Sequence, residues 1–489
     1  MATADISTCR SYLDGLGQED LLRVTKEVDP VCEATGILKA MENGPALLFE
    51  NVKGYPGQRI MCNLFSREDR VARMFGVAET KDLKHRGAAA LRRQIAPREV
   101  ANAPSQELVT TKDIDVLSML PVCKYTETDP GRILGGGVTL LSGPDIGTCA
   151  SYKRVHFRGK DWGSMAFIPS SHLEHWSIDR KRKGQKLPLT INICPPPAVM
   201  AVAAGGGLGW AIPAGSDELG FAGGLQGSPV NVCKAKTVDA LAIADAEWVI
   251  EGYIDTSQTV WESDEAERHG DNKRELFPEW HGHEGRAERT YKFCVTGVTR
   301  RKDNPIFELW LAHSLELPII RRLINDGPIF EFLDRLSPGL VTDINALDGM
   351  KSFGLVIQVR KRARRDDAVV RNLILSAFSM NPRLRNVFVV DDDVDIYDAE
   401  DVMWALHTRL DPRDNMIVIP RPTSEVRDGP LSPVGRVGFD LTAPKQFQNL
   451  FWRGQYPRVD LRKWFTDEQI AAVQARQSPY ARVLARKAV

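Results

Sequence analysis

AEWVIEGYID (246–255) and TYKFCVTGVTRR (290–301) carry the pattern that decides the fold. Both are dense in valine, isoleucine and aromatic residues, the composition of strands, and each is interrupted by glycine. Working outward, GGGVTLLSGPDIG (135–147) and LPLTINICPPP (187–197) repeat the pattern, so residues from about 116 to 310 read as a β-rich middle domain of barrel character. Before it, residues 1–115 combine helical patterning over Glu19 to Val28 with the apolar, strand-like PALLFENV (45–52), which ends at Gly54, Pro56 and Gly57. After it, IFELWLAHSLELPIIRRLI (306–324) has helical spacing and bridges to a third unit. There LVIQV (355–359) and NVFVVDDDVDIYDAEDVMWAL (386–406) alternate strand and helix as in an α/β sheet. The expected organisation is a mixed α/β (α+β) chain: an N-terminal α/β region (1–115), a β-barrel domain with a linker helix (116–330), and a C-terminal α/β domain (331–489). From Thr466 the tail has a capping box, Thr466 with Gln469, and a basic amphipathic pattern to Val489.

A chain of 489 residues has ample core for an enclosed pocket. Lys plus Arg and Asp plus Glu both number 64, so no overall field recruits nucleic acid or an anionic membrane, and a small ligand is the expected partner. The N-terminus MATADISTCRSYL lacks a basic segment followed by an apolar core, and no uncharged run of about 18 residues spans a bilayer. The eight cysteines form no CxxC pair. Reduced thiols in a cytoplasm are expected.

Several segments carry candidate chemistry. GGGLGW (205–210) lacks the full dinucleotide spacing and reads as a loop. The run Asp391, Asp392, Asp393 and Asp395 follows an apolar strand and precedes a helix that Asp398 can cap; it reads as a cation site or as a capped, solvated loop. In TCASYKRVHFRGK (148–160), a strand puts Arg154 and His156 on one face. His172 and Glu218 form a pair able to share a divalent cation with a phosphate, or are satisfied structural residues. RELFPEWHGHEG (274–285) offers His281, His283 and Glu284 as a metal cluster, and Glu275 with Glu279 as an acid–base pair.

Together these segments resemble the UbiD family of prenylated-FMN-dependent decarboxylases. The resemblance rests on GPALLFENVKGYPG (44–57), NLFSREDRVARMFG (63–76), the Arg154 strand, DELGFAGGL (217–225), EWVIEGYID (247–255), FPEWHG (277–282) and VVDDDVDIYDAEDVMWAL (389–406), in that order. It is nearer the branch acting on phenolic and heteroaromatic acids. It implies a split-barrel middle domain that binds the flavin, a C-terminal domain used in homodimers or larger assemblies, and a flavin prenyltransferase as cofactor supplier. The implied reaction is reversible, non-oxidative removal of CO2 from an aromatic acid through a covalent adduct with prenylated FMN. The alternatives are a prenylated hydroxybenzoate decarboxylase of ubiquinone biosynthesis and a flavin-binding relative without catalysis.

By the same resemblance, Glu279 is the acid that protonates the carbon left by CO2, and Arg154 sits beside it and the cofactor. His172 and Glu218 match positions that bind manganese and the flavin phosphate, with potassium nearby, and Lys351 in DGMKSFG approaches the same phosphate. Trp280 follows the acid and either stacks on a flat substrate or fills the core. Two departures stand out. The family's supporting glutamate lies five residues before the acid, where this chain has Arg274, with Glu275 next to it. Where relatives carry a metal-ligating asparagine this chain has Cys149, and a soft thiol is a poor manganese ligand. The acidic run at 391–395 is expected to be structural.

Overall fold

The computed structural model describes residues 4–167, 171–205, 217–271, 275–351, 353–381, 383–420, 435–451, 453–454, 457 and 459–474, excepting the side chains of Glu275, Val473 and Gln474. They fall into two compact units, one running to Pro328 and one from Ile329.

The first unit is organised by one antiparallel ladder, Trp248–Trp261 against Arg289–Arg300, with Trp248 opposite Arg300 and Trp261 opposite Arg289. The register shifts at Glu251/Gly252 and again between Asp255 and Thr259. Such irregularities bend a long strand and increase its twist. At the first of them a Cβ on Gly252 would collide with the Cys294 carbonyl, so only glycine fits. The sheet built on this ladder runs in the order Ile133–Leu134, Val155–Phe157, Trp162–Met165, Arg289–Arg300, Trp248–Trp261, Leu187–Ile193, Val138–Gly143, Gly147–Tyr152, with Leu108–Thr110 also paired to Arg289–Arg300.

The last strand of that path, Gly147–Tyr152, lies at one edge, and Val155–Phe157 lies one strand in from the other. Only Lys153 and Arg154 separate them in sequence. Three Cα steps reach at most about 11 Å, so the sheet must curl until its two edges approach. It is a half-barrel, as the glycine-punctuated strands predict, and the expected single strand through Arg154 is two strands broken at the seam. Leu189, Ile191 and Ile193 are fully buried in one core cluster of this unit, and the all-buried helix Pro197–Gly205 and the helix Glu218–Gln226 build another. GGGLGW lies outside the described residues apart from Gly205.

A second sheet joins the N-terminal region to the chain that leaves the half-barrel. Leu21–Val24 pairs parallel with Ala46–Phe49, which pairs antiparallel with Arg59–Cys62, which pairs parallel with Ile306–Glu308. Two helical expectations are corrected here. Residues 19–28 contain a strand, and the segment 306–324 begins as one, its helix starting only at Glu316. In both places a parallel partner holds extended a segment whose local periodicity also fits a helix; Ile306–Glu308 is buried throughout, Leu21–Val24 only at Leu21. From Glu316–Arg321 the chain widens through a π turn at Arg322–Asp326 and continues as the helix Gly327–Leu336.

The second unit is a five-stranded sheet in which Gly354–Val359, Asn386–Asp391 and Arg436–Leu441 run parallel. The expected strand–helix alternation is present: Ala399–Arg409 follows the acidic run, with the Asp398 side chain accepting from the Glu400 amide. The acids are held by arginines: Asp393 by Arg409 at 2.6 Å, Asp392 by Arg360 at 2.7 Å and Asp401 by Arg453 at 2.6 Å. Burial pushes Asp391 up to about 6 while it accepts the Ala443 amide at 2.7 Å. That is structural work. The Thr466–Gln469 capping box also forms, at 3.0 and 3.2 Å. Among the described residues no helix is long and apolar enough to cross a membrane, and all eight cysteines are free.

Two carboxyls are sealed in the first unit. Burial raises Glu308 to about 7 and Glu316 to about 8; Tyr152 donates to the first, and the Phe65 amide to the second at 2.8 Å. Folded pKa values above the unfolded ones mean that the folded chain binds the extra protons, so their contribution is complete below about pH 4.5 and lost as pH rises through 7 and 8. Unfolding free energy should therefore decline from pH 5 to pH 8.5, by up to about 1.4 kcal/mol per pH unit per group. Glu316→Gln should flatten that slope in urea titrations; an unchanged slope would exclude Glu316 as its source.

Candidate active site

Arg154 stands at the half-barrel seam with 8% of its side chain exposed. Its Nε and Nη2 each donate to one Glu262 carboxylate oxygen at 3.0 Å, a planar bidentate pair. Nη1 donates to Glu279 Oε1, and Nη2 also reaches the Arg286 carbonyl at 3.3 Å. Burial alone would lower the guanidinium pKa, but the charges of Glu262 and Glu279 outweigh it and raise it, so Arg154 is a permanent cation. Glu262 is 1% exposed and Glu279 20%, so one acid anchors the arginine and the other faces outward.

Glu262 immediately follows the long strand Trp248–Trp261, so the central ladder itself carries it to the seam. Its second oxygen accepts the Glu288 amide at 2.9 Å, and its carbonyl meets His156 Nδ1. Burial lowers the His156 pKa, so the ring is neutral and its Nδ1–H donates. Arg154, in the break between two strands, and His156, on the second of them, both reach Glu262, one at its carboxylate and the other at its carbonyl.

Glu279 is set by a small hairpin, Glu275–Pro278 against Glu284–Arg286. Phe277 has the left-handed φ of 61°, uncommon for an aromatic residue. It is held there by its amide donating to Asp129 Oδ1 at 2.7 Å and by an edge-on contact with Tyr125 at 4.8 Å. The Glu279 amide closes the turn onto the His283 carbonyl at 2.9 Å. Its carboxyl folds back over Gly285, where a Cβ would lie 2.9 Å from Oε1. A side chain at 285 would push the acid off Arg154.

The loop histidines do not build a metal site. The His281 and His283 rings lie 5.2 Å apart, and among the described residues the one three-donor group is elsewhere. Trp280 packs on the main core cluster and has the Arg321 guanidinium 4.8 Å from its ring centre.

The three-donor group is Cys149, His172 and Glu218, whose ligand atoms all lie within 4.8 Å of one another. Cys149 comes from the strand Gly147–Tyr152, and His172 and Glu218 are the first residues of the helices His172–Arg182 and Glu218–Gln226. His172 Nδ1 is 3.6 Å from Cys149 Sγ and 3.3 Å from Glu218 Oε1. The Ala150 amide donates to Glu218 Oε2 at 2.6 Å, and Thr148 is bound to Asp217, which caps the Glu218 helix. Burial, then the Glu218 carboxylate, push the Cys149 thiol well up. Two helix starts at one corner make an anion-friendly cradle, and the three donors suit a cation beside the anion.

The expected residues Arg154 and Glu279 are therefore in contact, as are Cys149, His172 and Glu218. Lys351 belongs to the second unit, at the left-handed end of the turn Asp348–Met350. Arg274 and the Glu275 side chain lie outside the described residues. Glu262 and Asp129 were not anticipated. In the sequence Glu262 is the first of four closely spaced acids, with Asp264, Glu265 and Glu267, and the irregular register of the strand before it hides which of them turns inward.

Three family models cover most of the chain. They are the 3-octaprenyl-4-hydroxybenzoate carboxy-lyase N-terminal domain over residues 17–90, its Rift-related domain over 98–313 and its C-terminal domain over 319–440. The gallate decarboxylase of Lactiplantibacillus plantarum is 29% identical over 468 residues, covering 88% of this chain and 93% of that protein. The apo structure of a 3,4-dihydroxybenzoic acid decarboxylase from Enterobacter cloacae matches with a TM-score of 0.82 and 27% identity, over 94% of this chain and 98% of that one. An evolved dimeric form of the UbiD-class enzyme HmfF from Pelotomaculum thermopropionicum, in complex with prFMN, matches with a TM-score of 0.80 and 26% identity, over 94% and 100%.

Removing one partner of a buried ion pair costs about 3–5 kcal/mol. Glu262→Gln should thus lower the unfolding free energy by about 3 kcal/mol in urea titration. Glu279→Gln, on the more exposed carboxyl, should cost less than half as much. The reverse order would contradict Glu262 as the anchor.

Proposed function

Because the chain belongs to the UbiD family of carboxy-lyases, we propose that it reversibly removes CO2 from an aromatic or heteroaromatic acid with prenylated FMN in the half-barrel. The observation that carries this reading is the Glu262–Arg154–Glu279 chain, a permanent cation between an anchored and an outward-facing carboxyl. The gallate and 3,4-dihydroxybenzoic acid decarboxylases among the similar proteins favour a phenolic acid, and the prFMN complex of HmfF favours the cofactor.

Prenylated FMN, when bound, supplies the electron sink for decarboxylation at an sp² carbon, which no side chain offers. The chain's own residues do the rest. Arg154, fixed by Glu262, orients Glu279 and offers positive charge to the substrate carboxylate or the flavin. Glu279 delivers its carboxyl proton to the carbon that has lost CO2, and in carboxylation takes one from the same place. His172 and Glu218 would hold a divalent cation, which together with potassium would offset the charge of the cofactor phosphate. The donor set fits a divalent cation; the Cys149 thiol fits the manganese of the resemblance poorly. The active form is a homodimer or larger homo-oligomer loaded through a flavin prenyltransferase.

The test is co-expression with a flavin prenyltransferase, followed by the mass and spectrum of the released cofactor and CO2 release from a panel of phenolic, heteroaromatic and prenylated hydroxybenzoic acids. Glu279→Gln should retain the flavin and lose at least about 100-fold in turnover. His172→Ala should lose flavin content first. A Glu279→Gln protein with normal turnover would remove Glu279 from the acid role, and a colourless wild-type protein would remove the cofactor.

A further inference from the structure

The corner made by Cys149, His172 and Glu218 deepens the flavin-holding role proposed above, because its donor chemistry selects the cation. We propose that it binds a thiophilic, borderline divalent cation of the zinc class in preference to manganese, with Cys149 as a thiolate ligand.

Manganese and magnesium favour octahedral shells of oxygen, whereas sulfur and imidazole suit zinc and its neighbours in four-coordinate sites. This corner offers one sulfur, one imidazole nitrogen and one carboxylate oxygen, from side chains no more than 18% exposed. With metal–sulfur bonds of about 2.3 Å and metal–nitrogen and metal–oxygen bonds of about 2.0–2.1 Å, tetrahedral edges come to about 3.6 Å for S···N and about 3.4 Å for N···O. The observed separations are 3.6 Å from Cys149 Sγ to His172 Nδ1 and 3.3 Å from His172 Nδ1 to Glu218 Oε1. The same His172 nitrogen serves both edges, so two edges of a tetrahedral face are in place, and the third, from the Cys149 sulfur to the Glu218 carboxylate, is within 4.8 Å.

The scaffold holds that face in place. Cys149 lies on a strand paired along its length, with Leu141 opposite it. Glu218 is tied at its far oxygen by the Ala150 amide, and His172 begins a helix capped by Ser171. Three protein ligands leave a fourth corner for a phosphate or water oxygen, the arrangement of an open zinc site. As the sulfur–metal bond forms, the thiol proton leaves to solvent, and no electron changes hands.

The experiment uses the full-length protein, stripped with chelator and titrated with cobalt(II), zinc and manganese without substrate. One equivalent of cobalt(II) should give a near-ultraviolet thiolate-to-cobalt charge-transfer band, and zinc should abolish it where a hundredfold excess of manganese does not. Cys149→Asn should remove the band, keep a cobalt site, and narrow the zinc-over-manganese preference at least about tenfold. His172→Ala, which spares the sulfur, should weaken binding of all three metals. Cobalt bound without the band, manganese displacing zinc at parity, or a Cys149→Asn protein with unaltered preference would each overturn the assignment, as would a wild-type protein that binds none of them. Flavin content and CO2 release measured on the same preparations separate the two readings. A protein with the band but no decarboxylation upholds the cation assignment and overturns the proposed activity, and decarboxylation without the band does the opposite.

Discussion

The two-residue connection at Lys153–Arg154 is the constraint on which the first unit depends. It ties a strand at one edge of the sheet to a strand near the other, so the half-barrel cannot open without stretching the chain beyond its reach. The seam holds a nearly buried guanidinium, Arg154, which has to be compensated wherever it sits. Glu262 provides this from the end of the longest strand, and Glu279 from a hairpin between the two strands of the central ladder. Fold closure and charge compensation meet at one side chain. An arginine can serve because its fork satisfies two carboxyls at once and stays charged when buried.

The hairpin carrying Glu279 is held by unusual local means. A left-handed phenylalanine and a bare glycine at 285 are each unfavourable in an ordinary hairpin, and each is matched by a specific neighbour: Asp129 and Tyr125 for Phe277, the Glu279 carboxyl for Gly285. The acid is thereby fixed at its base while its carboxyl stays partly exposed.

The strand through Gly147–Tyr152 links the two parts of the site. Cys149 lies on it and Arg154 just past it, so the cation corner and the acid pair are spaced by the same backbone. The corner draws its other two donors from the first residues of two capped helices. The broad carboxylate arrays of the second unit, by contrast, are consumed by Arg360, Arg409 and Arg453, and that acidic run works as scaffold.

The sequence by itself determined the fold class and the family, and it pointed to the residues that the structure brings together. Glycine-punctuated, β-branched runs mark the half-barrel, strand–helix alternation marks the second unit, Asp398 and Thr466 mark helix starts, and motif order brings out Arg154, Glu279, His172, Glu218 and Cys149. Tertiary structure alone decided the rest. Residues 19–28 and 306–308 carry no local mark that separates a short strand from a helix, and only their parallel partners settle it. Glu262 was illegible because irregular register erases the alternation that tells which side a residue faces. Above all, sequence offered Arg154 as one residue on a continuous strand. Its place at the seam follows from edges that meet only when the whole sheet curls, a long-range constraint with no signature in any short stretch.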